Sequence, residues 1–227
     1  MNGDDDALAV FDAVTGRRSI RRFLPRPVAD QTVYEILAAA SRAPSGQNMQ
    51  PWLVHFVTGT TRDQLCREVA AAADRGERSD EYDYFPREIR EPYRARRRKV
   101  GFDLYDLYGI GKDDLPGRKA ALLRNFDFFG APVGLFFTME RDWGLGAWID
   151  LGAFMTNVMT LARARGLETC PQQAWCEYGG PVRRVLGLPD NLLIVSGMSL
   201  GYADYAAKEN SLTTERAPPE LFVTRHT

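Results

Sequence analysis

The chain has 227 residues, of which 44% are hydrophobic, and its 29 lysines and arginines are balanced by 30 aspartates and glutamates. This length and composition suffice for a sizeable core, and we predict a single domain over residues 1–227. A net charge near zero excludes a whole-protein field that would attract nucleic acid or an acidic membrane, so any preference for anions must be local.

Helices and strands alternate in the N-terminal part of the chain. Periodicity and composition predict helices over residues 8–14, 32–42 and 61–75 and a strand over residues 52–59. The second helix is predicted to open with a capping box from Thr32 to Glu35. These elements indicate a core that contains both helices and strands.

The C-terminal part continues this pattern after an irregular stretch. Residues 76–117 mix tyrosine, phenylalanine and charge with little regular period, and we interpret them as an excursion outside the core. Helices are predicted over 118–129 and 148–166, and strands over 131–139 and 191–203. The helix over 148–166 repeats apolar residues at three- and four-residue steps, so it should be central and buried. From about Lys208 a polar arm follows, and the whole predicts one α+β domain with an exposed C-terminal extension.

Metal and hydrolytic chemistry are poorly supported by the sequence. Cys66, Cys170 and Cys176 form no CxxC pair, and His55 and His226 are the two histidines, so neither a metal site nor a hydrolytic triad is expected. The acidic start lacks a signal-peptide pattern, and apolar runs such as APVGLFFTM are too short to cross a bilayer. We therefore expect a cytoplasmic protein without a membrane partner, whose chemistry needs a borrowed cofactor.

The segment RRSIRRF, residues 17–23, places four arginines and a serine within seven residues. Guanidinium groups are planar forked donors that suit a phosphate, and these like charges repel one another unless an anion lies between them. The alternative is a solvated basic loop in which each arginine pairs with a surface carboxylate. The segment alone leaves both interpretations open.

The segment APSGQNMQPW, residues 43–52, combines polar side chains with two prolines. Ser45, Asn48 and Gln50 supply donors and acceptors, and Gly46 permits close approach of a backbone. Amide side chains of this kind suit a flat heterocycle that carries carbonyl acceptors and an N–H donor. The same residues are also common in ordinary loops between a helix and a strand, and the segment by itself favours that interpretation.

Together the two segments resemble the FMN-dependent nitroreductase family. The resemblance continues through the central helix and through TCPQQAW (169–175), SGMSLGYAD (196–204) and SLTTERAPPEL (211–221). The segments RRKVGFDLYDLYGIGKDD and RNFDFFGAPVGLFFT resemble the bacterial branch that includes nitrobenzoate reductases. The resemblance implies a central, mostly antiparallel sheet flanked by helices, in an intertwined homodimer with a C-terminal arm and two FMN sites at its interface.

The same resemblance implies a set of cofactor-binding residues. It places Arg17, Arg18 and Ser19 at the FMN phosphate and ribityl chain, and Arg21 near flavin N1 and O2, where a positive charge stabilises the reduced ring. Arg216 would return to the phosphate, whereas Thr214 stands where a second basic residue is expected. Loop residues expected to reach the flavin of the partner subunit are Pro44, Ser45, Gly46, Asn48 and Gln50. Residues expected to place their backbone beside the ring, with an N–H directed at N5, are Pro171, Gln172, Gln173 and Ala174.

The activity that the resemblance implies is a ping-pong hydride transfer. NADH or NADPH would reduce flavin N5 and leave, and a small planar electron-poor acceptor, a nitroaromatic or a quinone, would then be reduced. Arg21 would tune the flavin, and neither a catalytic side chain nor a metal is needed. The alternatives are reductive dehalogenation, flavin reduction or another flavin reaction of the superfamily, or a non-catalytic flavin-binding module. The Glu, Tyr and Lys trio of the related dehalogenases finds no convincing match in 76–117.

The basic run YRARRRK, residues 93–99, has three interpretations. Arginine beside aromatic residues can bind nucleic acid, but a neutral protein favours a solvated helix face and no nucleic-acid partner. Alternatively, the excursion over 76–117 is a lid over the flavin that steers a nicotinamide phosphate or a carboxylated aromatic toward the ring. Aromatic side chains of this region that could stack on a planar substrate are Tyr82, Tyr84, Phe85, Tyr93, Phe102, Tyr105 and Tyr108.

Overall fold

Four strands form an antiparallel sheet within residues 10–227, the part of the chain that the structure, a computed structural model, describes. The strands are β1 (Leu53–Val57), β2 (Val133–Glu140), β3 (Glu168–Gln172) and β4 (Leu192–Gly201), in the order β1-β2-β4-β3. The helices are α1 (residues 10–15 of the described part), α2 (Asp30–Ala40), α3 (Gly59–Asp74), α4 (Tyr93–Tyr108), α5 (Leu115–Leu123), α6 (Leu145–Ala164) and α7 (Gly179–Leu186). The predicted α+β fold with a central antiparallel sheet is confirmed, and the predicted helix over 8–14 lies partly outside the described residues.

The two faces of the sheet support two separate groups of buried side chains. Successive residues of a strand point to opposite faces, so neighbouring residues of β2 join different groups. Leu135 and Phe137 pack with α2 and α6, including Phe154 of α6. Phe136 packs on the other side with α3, including Leu65. Helices therefore cover both faces of the central strands.

Helix α6 has 20 residues and enough apolar character to cross a membrane by length and composition alone. The expectation that every apolar run is too short for this was wrong, because the helix begins three residues earlier than predicted. Leu151, Phe154 and Val158 are nevertheless buried against the sheet. Helix α6 is thus the buried central helix that its periodicity predicts.

Three predicted elements differ in the structure. Helix α2 begins at Asp30 after an uncapped Ala29, so Thr32 lies inside the helix and the predicted capping box is wrong. The excursion contains α4, whose 16 residues include none that is fully buried, which explains why no amphipathic period revealed it. The predicted helix over 118–129 is α5, which starts where Asp114 accepts a hydrogen bond from the Gly117 N–H, followed by a 3-10 segment over Arg124–Gly130.

Two glycines of the sheet make room for a pair of stacked aromatic rings. Phe128, in a left-handed conformation at φ 55°, stacks on Trp175 with ring centroids 4.5 Å apart. A methyl group on Gly134 of β2 would collide with the Phe128 ring, and one on Gly197 of β4 would collide with Trp175. Trp175 is completely buried and belongs to the 3-10 segment Gln173–Glu177 that follows β3. The rings therefore hold the end of β3 against the sheet.

A buried carboxylate fixes the start of the excursion. Glu81 accepts hydrogen bonds from Arg183 of α7, with Nη2 2.6 Å from Oε2, and from Arg141, with Nη2 2.8 Å from Oε2. The backbone N–H of Ile194 in β4 also donates to it, over 3.3 Å. A residue later, the Tyr82 hydroxyl donates to the Val195 carbonyl at 2.6 Å. The excursion thus leaves the core from a fixed point on β4.

Candidate functional site

The arginine-rich segment lies beside the first residues of β3. Ser19 forms a parallel bridge with Thr169, and the Ile20 N–H donates to the Thr169 carbonyl at 3.1 Å. Ile20 is buried and anchors the segment, so its neighbours can point outward. This placement brings Arg17, Arg18 and Ser19 to the strand that leads into residues 171–174.

Polar groups from distant parts of the chain satisfy the backbone of the arginine-rich segment. The buried Asn210 side chain accepts from the Arg21 N–H at 2.7 Å and donates to the Arg22 carbonyl at 2.8 Å. Arg124 donates to the Arg21 carbonyl at 2.7 Å and pairs with Glu209 at 2.8 Å. Directly after Lys208, the chain therefore contains two buried residues, Glu209 and Asn210, that hold the segment, and it becomes mostly exposed only after Leu212.

Four arginines line one cavity of about 640 Å³, which we call the arginine cavity. They are Arg17, Arg18, Arg163 and Arg216. Within residues 10–227, no carboxylate oxygen lies within 4.0 Å of Arg17, Arg18 or Arg216. The described residues thus supply none of the ion pairs that the solvated-loop interpretation requires. Several guanidinium groups without such partners suit a multiply charged anion.

The side chain of Arg21 lies outside the arginine cavity. It lines a separate cavity of about 130 Å³ together with Tyr105, Tyr108 and Asn125. Its Nη1 donates to the Ser19 carbonyl at 3.2 Å. The Tyr108 hydroxyl is buried without a hydrogen-bond partner among the described residues, and burial raises its pKa. The structure thus separates Arg21 from Arg17 and Arg18, and its predicted place near flavin N1 stays a prediction.

Residues 171–174 begin in β3 and continue into the following 3-10 segment, where the sequence predicted no strand. The buried Gln172 side chain is occupied, because it donates to the Asn125 carbonyl and accepts from the Ser199 hydroxyl, each over 2.6 Å. Its role in the site is therefore restricted to its backbone. Gln172, the last residue of β3, lies about 10 Å from Thr169 at the ordinary rise of a strand, and Gln173 follows it. The segment thus leads from the arginine cavity to a second cavity.

The second cavity has a volume of about 520 Å³ and an aromatic lining, and we call it the tyrosine cavity. Tyr82, Tyr84, Trp148, Met155 and Gln173 are among its lining residues. The Tyr82 and Trp148 rings meet edge to face, with centroids 4.9 Å apart. Flat apolar walls beside a few polar groups are typical of sites for planar molecules.

The loop of residues 44–50 is exposed and held in an unusual backbone conformation. Gln47, Asn48 and Gln50 have φ values of 49°, 61° and 51°. The Gln50 N–H donates to the Ser45 hydroxyl at 3.1 Å, and the Gly46 N–H donates to Asp150 of α6 at 3.1 Å. Residues held in the left-handed region without being glycine concentrate at functional sites. Pro44 lies in the same exposed loop.

This loop and the arginine cavity lie at opposite ends of α6. The loop contacts Asp150 near the start of the helix, whereas Arg163 of the arginine cavity lies in its last turn. The thirteen residue steps from Asp150 to Arg163 correspond to about 20 Å of helix. Within one chain, the structure therefore brings Arg17, Arg18 and Arg216 together beside the start of β3, from which residues 171–174 follow, but it does not bring the loop residues there.

The basic run of α4 is exposed, and several of its side chains form ion pairs or lie over aromatic rings. Lys99 pairs with Asp103 at 2.8 Å and Arg94 with Glu91 at 2.7 Å. Arg97 lies over the Phe85 ring at 4.5 Å. All residues from 93 to 99 are exposed, which agrees with the interpretation as a solvated helix face.

The cysteine thiols are poorly suited to nucleophilic chemistry. Burial raises the pKa of Cys66 to about 11, and it also raises the pKa of Cys170 and Cys176. A thiolate is the nucleophilic form, and a raised pKa depletes it near neutral pH. The arrangement of the described residues thus offers anion binding and a planar slot rather than covalent catalysis.

Sequence reasoning missed one residue that lines the arginine cavity and two that hold the backbone of the arginine-rich segment. Arg163 was part of a helix end, Arg124 part of a predicted helix, and Asn210 part of the polar arm. Arg163 carried a usable signal, because it is a basic residue in the last turn of the central helix, shortly before TCPQQAW. Asn210 and Arg124 act on the backbone of a segment nearly 190 and about 100 residues away, and no local pattern reports such contacts.

Known proteins resemble this chain over nearly its whole length. The model of the Nitroreductase family matches residues 14–202. The chain is 41% identical to a 4-nitrobenzoate reductase of Pseudomonas putida over 93% of this chain and 92% of that one. It is 39% identical to a nitrobenzene nitroreductase of Ectopseudomonas oleovorans over 95% and 96% of the two chains.

Solved structures agree with these sequence matches. The FMN and NADPH-dependent nitroreductase NfnB from sphigopyxis sp. strain HMH superposes with a TM-score of 0.94 at 38% identity, covering 96% of this chain and 99% of that one. The FMN-dependent nitroreductase NfnB from Mycobacterium smegmatis, solved in complex with NADPH, gives a TM-score of 0.93 at 28% identity over 97% and 99% of the chains.

Proposed function

Because this chain belongs to the nitroreductase family, we propose that it is an FMN-dependent NAD(P)H oxidoreductase that reduces nitroaromatic or quinone-type acceptors. The observation that carries the proposal is the arginine cavity, where Arg17, Arg18 and Arg216 meet without carboxylate partners among residues 10–227. When bound, FMN supplies the hydride-transfer chemistry that no side chain of the site offers. A cytoplasmic location and a single 227-residue domain are parts of the same proposal.

The donor set of the arginine cavity fits a phosphomonoester. Such a group carries up to two negative charges near neutral pH and three acceptor oxygens, and guanidinium groups match it in charge and in planar donor geometry. Arg17, Arg18 and Arg216 would hold the phosphate, with Ser19 at the polar chain that leads from it. The ring would then lie along the backbone of residues 171–174. Gln172 would contribute through its backbone, since its side chain binds Asn125 and Ser199.

The tyrosine cavity is the proposed place for the planar acceptor and for the nicotinamide. It lies at Gln173, the far end of the backbone segment that starts beside the arginine cavity. Tyr82, Tyr84 and Trp148 would stack on a flat molecule and exclude water from it. The excursion over 76–117, fixed at Glu81, would act as the lid of this slot.

The site is proposed to be completed by a second copy of this chain. A two-fold pairing of antiparallel α6 helices would carry the loop of one chain, bound at Asp150, toward the arginine cavity of the other, which removes the separation of about 20 Å. The exposed face of α6 supports this pairing, because Leu145 is 83% and Ile149 76% exposed. Pro44, Ser45, Gly46, Asn48 and Gln50 would then contact the FMN of the partner subunit.

The Ile149→Asp substitution is expected to separate the proposed dimer. In an isolated chain, a change at so exposed a position alters the free energy of unfolding by only about 0.5 kcal/mol or less. At a buried two-fold contact it would place two carboxylates in an apolar interface, so we expect sedimentation equilibrium to give 25.5 kDa instead of twice that mass, with loss of bound FMN. Leu115→Asp, at a residue that is 71% exposed on α5, is the control. An unchanged mass and FMN content in Ile149→Asp would contradict the proposed interface.

The Arg17→Ala substitution is expected to weaken FMN binding by roughly 10- to 100-fold, since a hydrogen bond to a charged group contributes about 1.5–3 kcal/mol. The matched control is Arg22→Ala, because Arg22 is exposed and belongs to the same segment but lines neither the arginine cavity nor the cavity of Arg21. Fluorescence titration of the apoprotein with FMN gives both dissociation constants. Equal constants for the two variants would remove Arg17 from the phosphate site.

Turnover assays with defined acceptors test the function itself. The purified protein, reconstituted with FMN, should bleach on anaerobic addition of NADH or NADPH and regain its flavin absorbance on addition of a nitroaromatic or a quinone. Steady-state kinetics with both nicotinamides would rank the donors, and halophenols and free flavins would serve as competing acceptors. A bound flavin that neither nicotinamide reduces would refute the oxidoreductase proposal and leave a flavin-binding module. Turnover of halophenols alone would refute the proposed acceptor class.

A further inference from the structure

Arg163 differs from the other arginines of the arginine cavity in how it is held. It lies in the last turn of α6, and its guanidinium group packs over Gly16, directly before Arg17. A methyl group on Gly16 would lie 2.6 Å from Arg163 Nη2, so the absence of a side chain there leaves the space that this group occupies. A helix carries Arg163 into the cavity, whereas Arg17, Arg18 and Arg216 lie in segments without regular structure.

A buried carboxylate orients the Arg163 side chain. Arg163 Nη1 donates to Oε1 of Glu168, and the Tyr205 hydroxyl donates to the same oxygen at 2.9 Å. The Glu168 side chain is 5% exposed and the Arg163 side chain 31% exposed. Among the described residues, Arg163 is the one arginine of this cavity with a carboxylate within 4.0 Å. A guanidinium group has five N–H donors, so the group stays able to bind an anion while Glu168 holds it.

We propose that Arg163 is a phosphate-binding residue of the arginine cavity, that Glu168 and Tyr205 are its positioning residues, and that it contributes to the preference for FMN over unphosphorylated riboflavin. This inference rests on the proposed function, because it takes FMN as the ligand of the cavity. The charges are consistent with it. Four arginines and Glu168 sum to a charge of plus three around the cavity, which exceeds the charge of a phosphomonoester dianion even after the pair with Glu168 is counted.

Titration of the apoprotein with two flavins that differ only in the phosphate tests the proposal. In Arg163→Met, which keeps an unbranched apolar stem but removes the guanidinium group, the dissociation constant of FMN is expected to rise roughly 10- to 100-fold, while that of riboflavin stays within about twofold of the wild-type value. Arg163→Lys should recover part of the loss, because it restores the charge without the fork. The control is Arg165→Met, since Arg165 pairs with Glu35 at the protein surface and lines no part of the cavity.

The loss of Arg163 leaves Glu168 buried without its partner, so a folding defect must be separated from a binding defect. The double variant Arg163→Met/Glu168→Gln removes both charges and should show the same selective loss of FMN affinity. A parallel loss of FMN and riboflavin in this double variant, or an unchanged ratio of the two constants, would overturn the assignment of Arg163. If wild-type protein bound FMN and the double variant kept the wild-type ratio of the FMN and riboflavin dissociation constants, the inference alone would fail. If wild-type protein bound no FMN, the proposed function and the inference would fail together.

Discussion

Replacement of Glu81 with alanine is expected to lower the free energy of unfolding by about 3–5 kcal/mol, the usual loss when one partner of a buried ion pair is removed. The Glu81 side chain is 5% exposed and its partner Arg183 is 14% exposed, so the remaining guanidinium group would stay largely out of water. The variant should also release the start of the excursion, because the contacts to Arg141 and to the Ile194 N–H disappear with the carboxylate.

Urea unfolding at one fixed chain and FMN concentration measures this loss for Glu81→Ala. Glu88→Ala is the matched control. Glu88 lies in the same excursion, but its side chain is exposed and its ion pair with Arg90 is long, with Oε2 3.6 Å from Nε. Exposed pairs of this kind contribute about 0–1 kcal/mol. If both variants unfolded at the same urea concentration, the contacts of Glu81 could not be what secures the excursion to the sheet.

The second large effect is expected at Trp175, where alanine should cost about 3–5 kcal/mol because a fully buried ring leaves a cavity behind. The structure also predicts a specific coupling with Gly197, whose Cβ would collide with the Trp175 ring. Gly197→Ala alone should therefore destabilise the protein by about 1–3 kcal/mol. In the Trp175→Ala background the added methyl group enters vacated space, so the cost of Gly197→Ala should nearly vanish.

A double-mutant cycle over these two positions, followed by urea unfolding, measures that coupling. Tyr93→Ala at the exposed start of α4 is the aromatic control and should change stability little. Additive effects of the two substitutions would mean that the sheet glycine and the ring do not constrain each other. Since Trp175 follows Gln173 and Ala174 directly, Trp175→Ala should also weaken FMN binding.

Strands with clear β composition could be predicted, and the strand that shapes the site could not. β1, β2 and β4 lie within or close to the segments predicted over 52–59, 131–139 and 191–203. β3 has the sequence ETCPQ, which contains a proline and three polar or charged residues that are buried in the structure, Glu168, Thr169 and Gln172. Gln172 is tolerated there because Asn125 and Ser199 satisfy it, and such partners are not visible in a local pattern.

The candidate site was predictable in its residue types and less so in its arrangement. Arg216 lies nearly 200 residues after Arg17 and Arg18 in the sequence, yet the structure places all three around one cavity. Arg21 belongs to the same motif, but its side chain lies in another cavity. The resemblance could not reveal this, because it carries over the position of a residue in the chain and not the direction of its side chain. The loop of residues 44–50 lies at the other end of α6, and the sequence of one chain contains no information on such a distance.

The attachment of Glu81 and Tyr82 to β4 separates the core of the fold from the outer part of the excursion. Because the chain is secured to β4 before α4 begins, the outer residues can change in length and composition while the sheet and the bed of the cofactor keep their shape. Under the proposed function, changes between Tyr84 and Ala95 are expected to alter the accepted molecule without disturbing the sheet, whereas Tyr105 and Tyr108 of α4 line the cavity of Arg21 and should tolerate less change. Family members with different acceptors are then expected to differ first in this outer stretch.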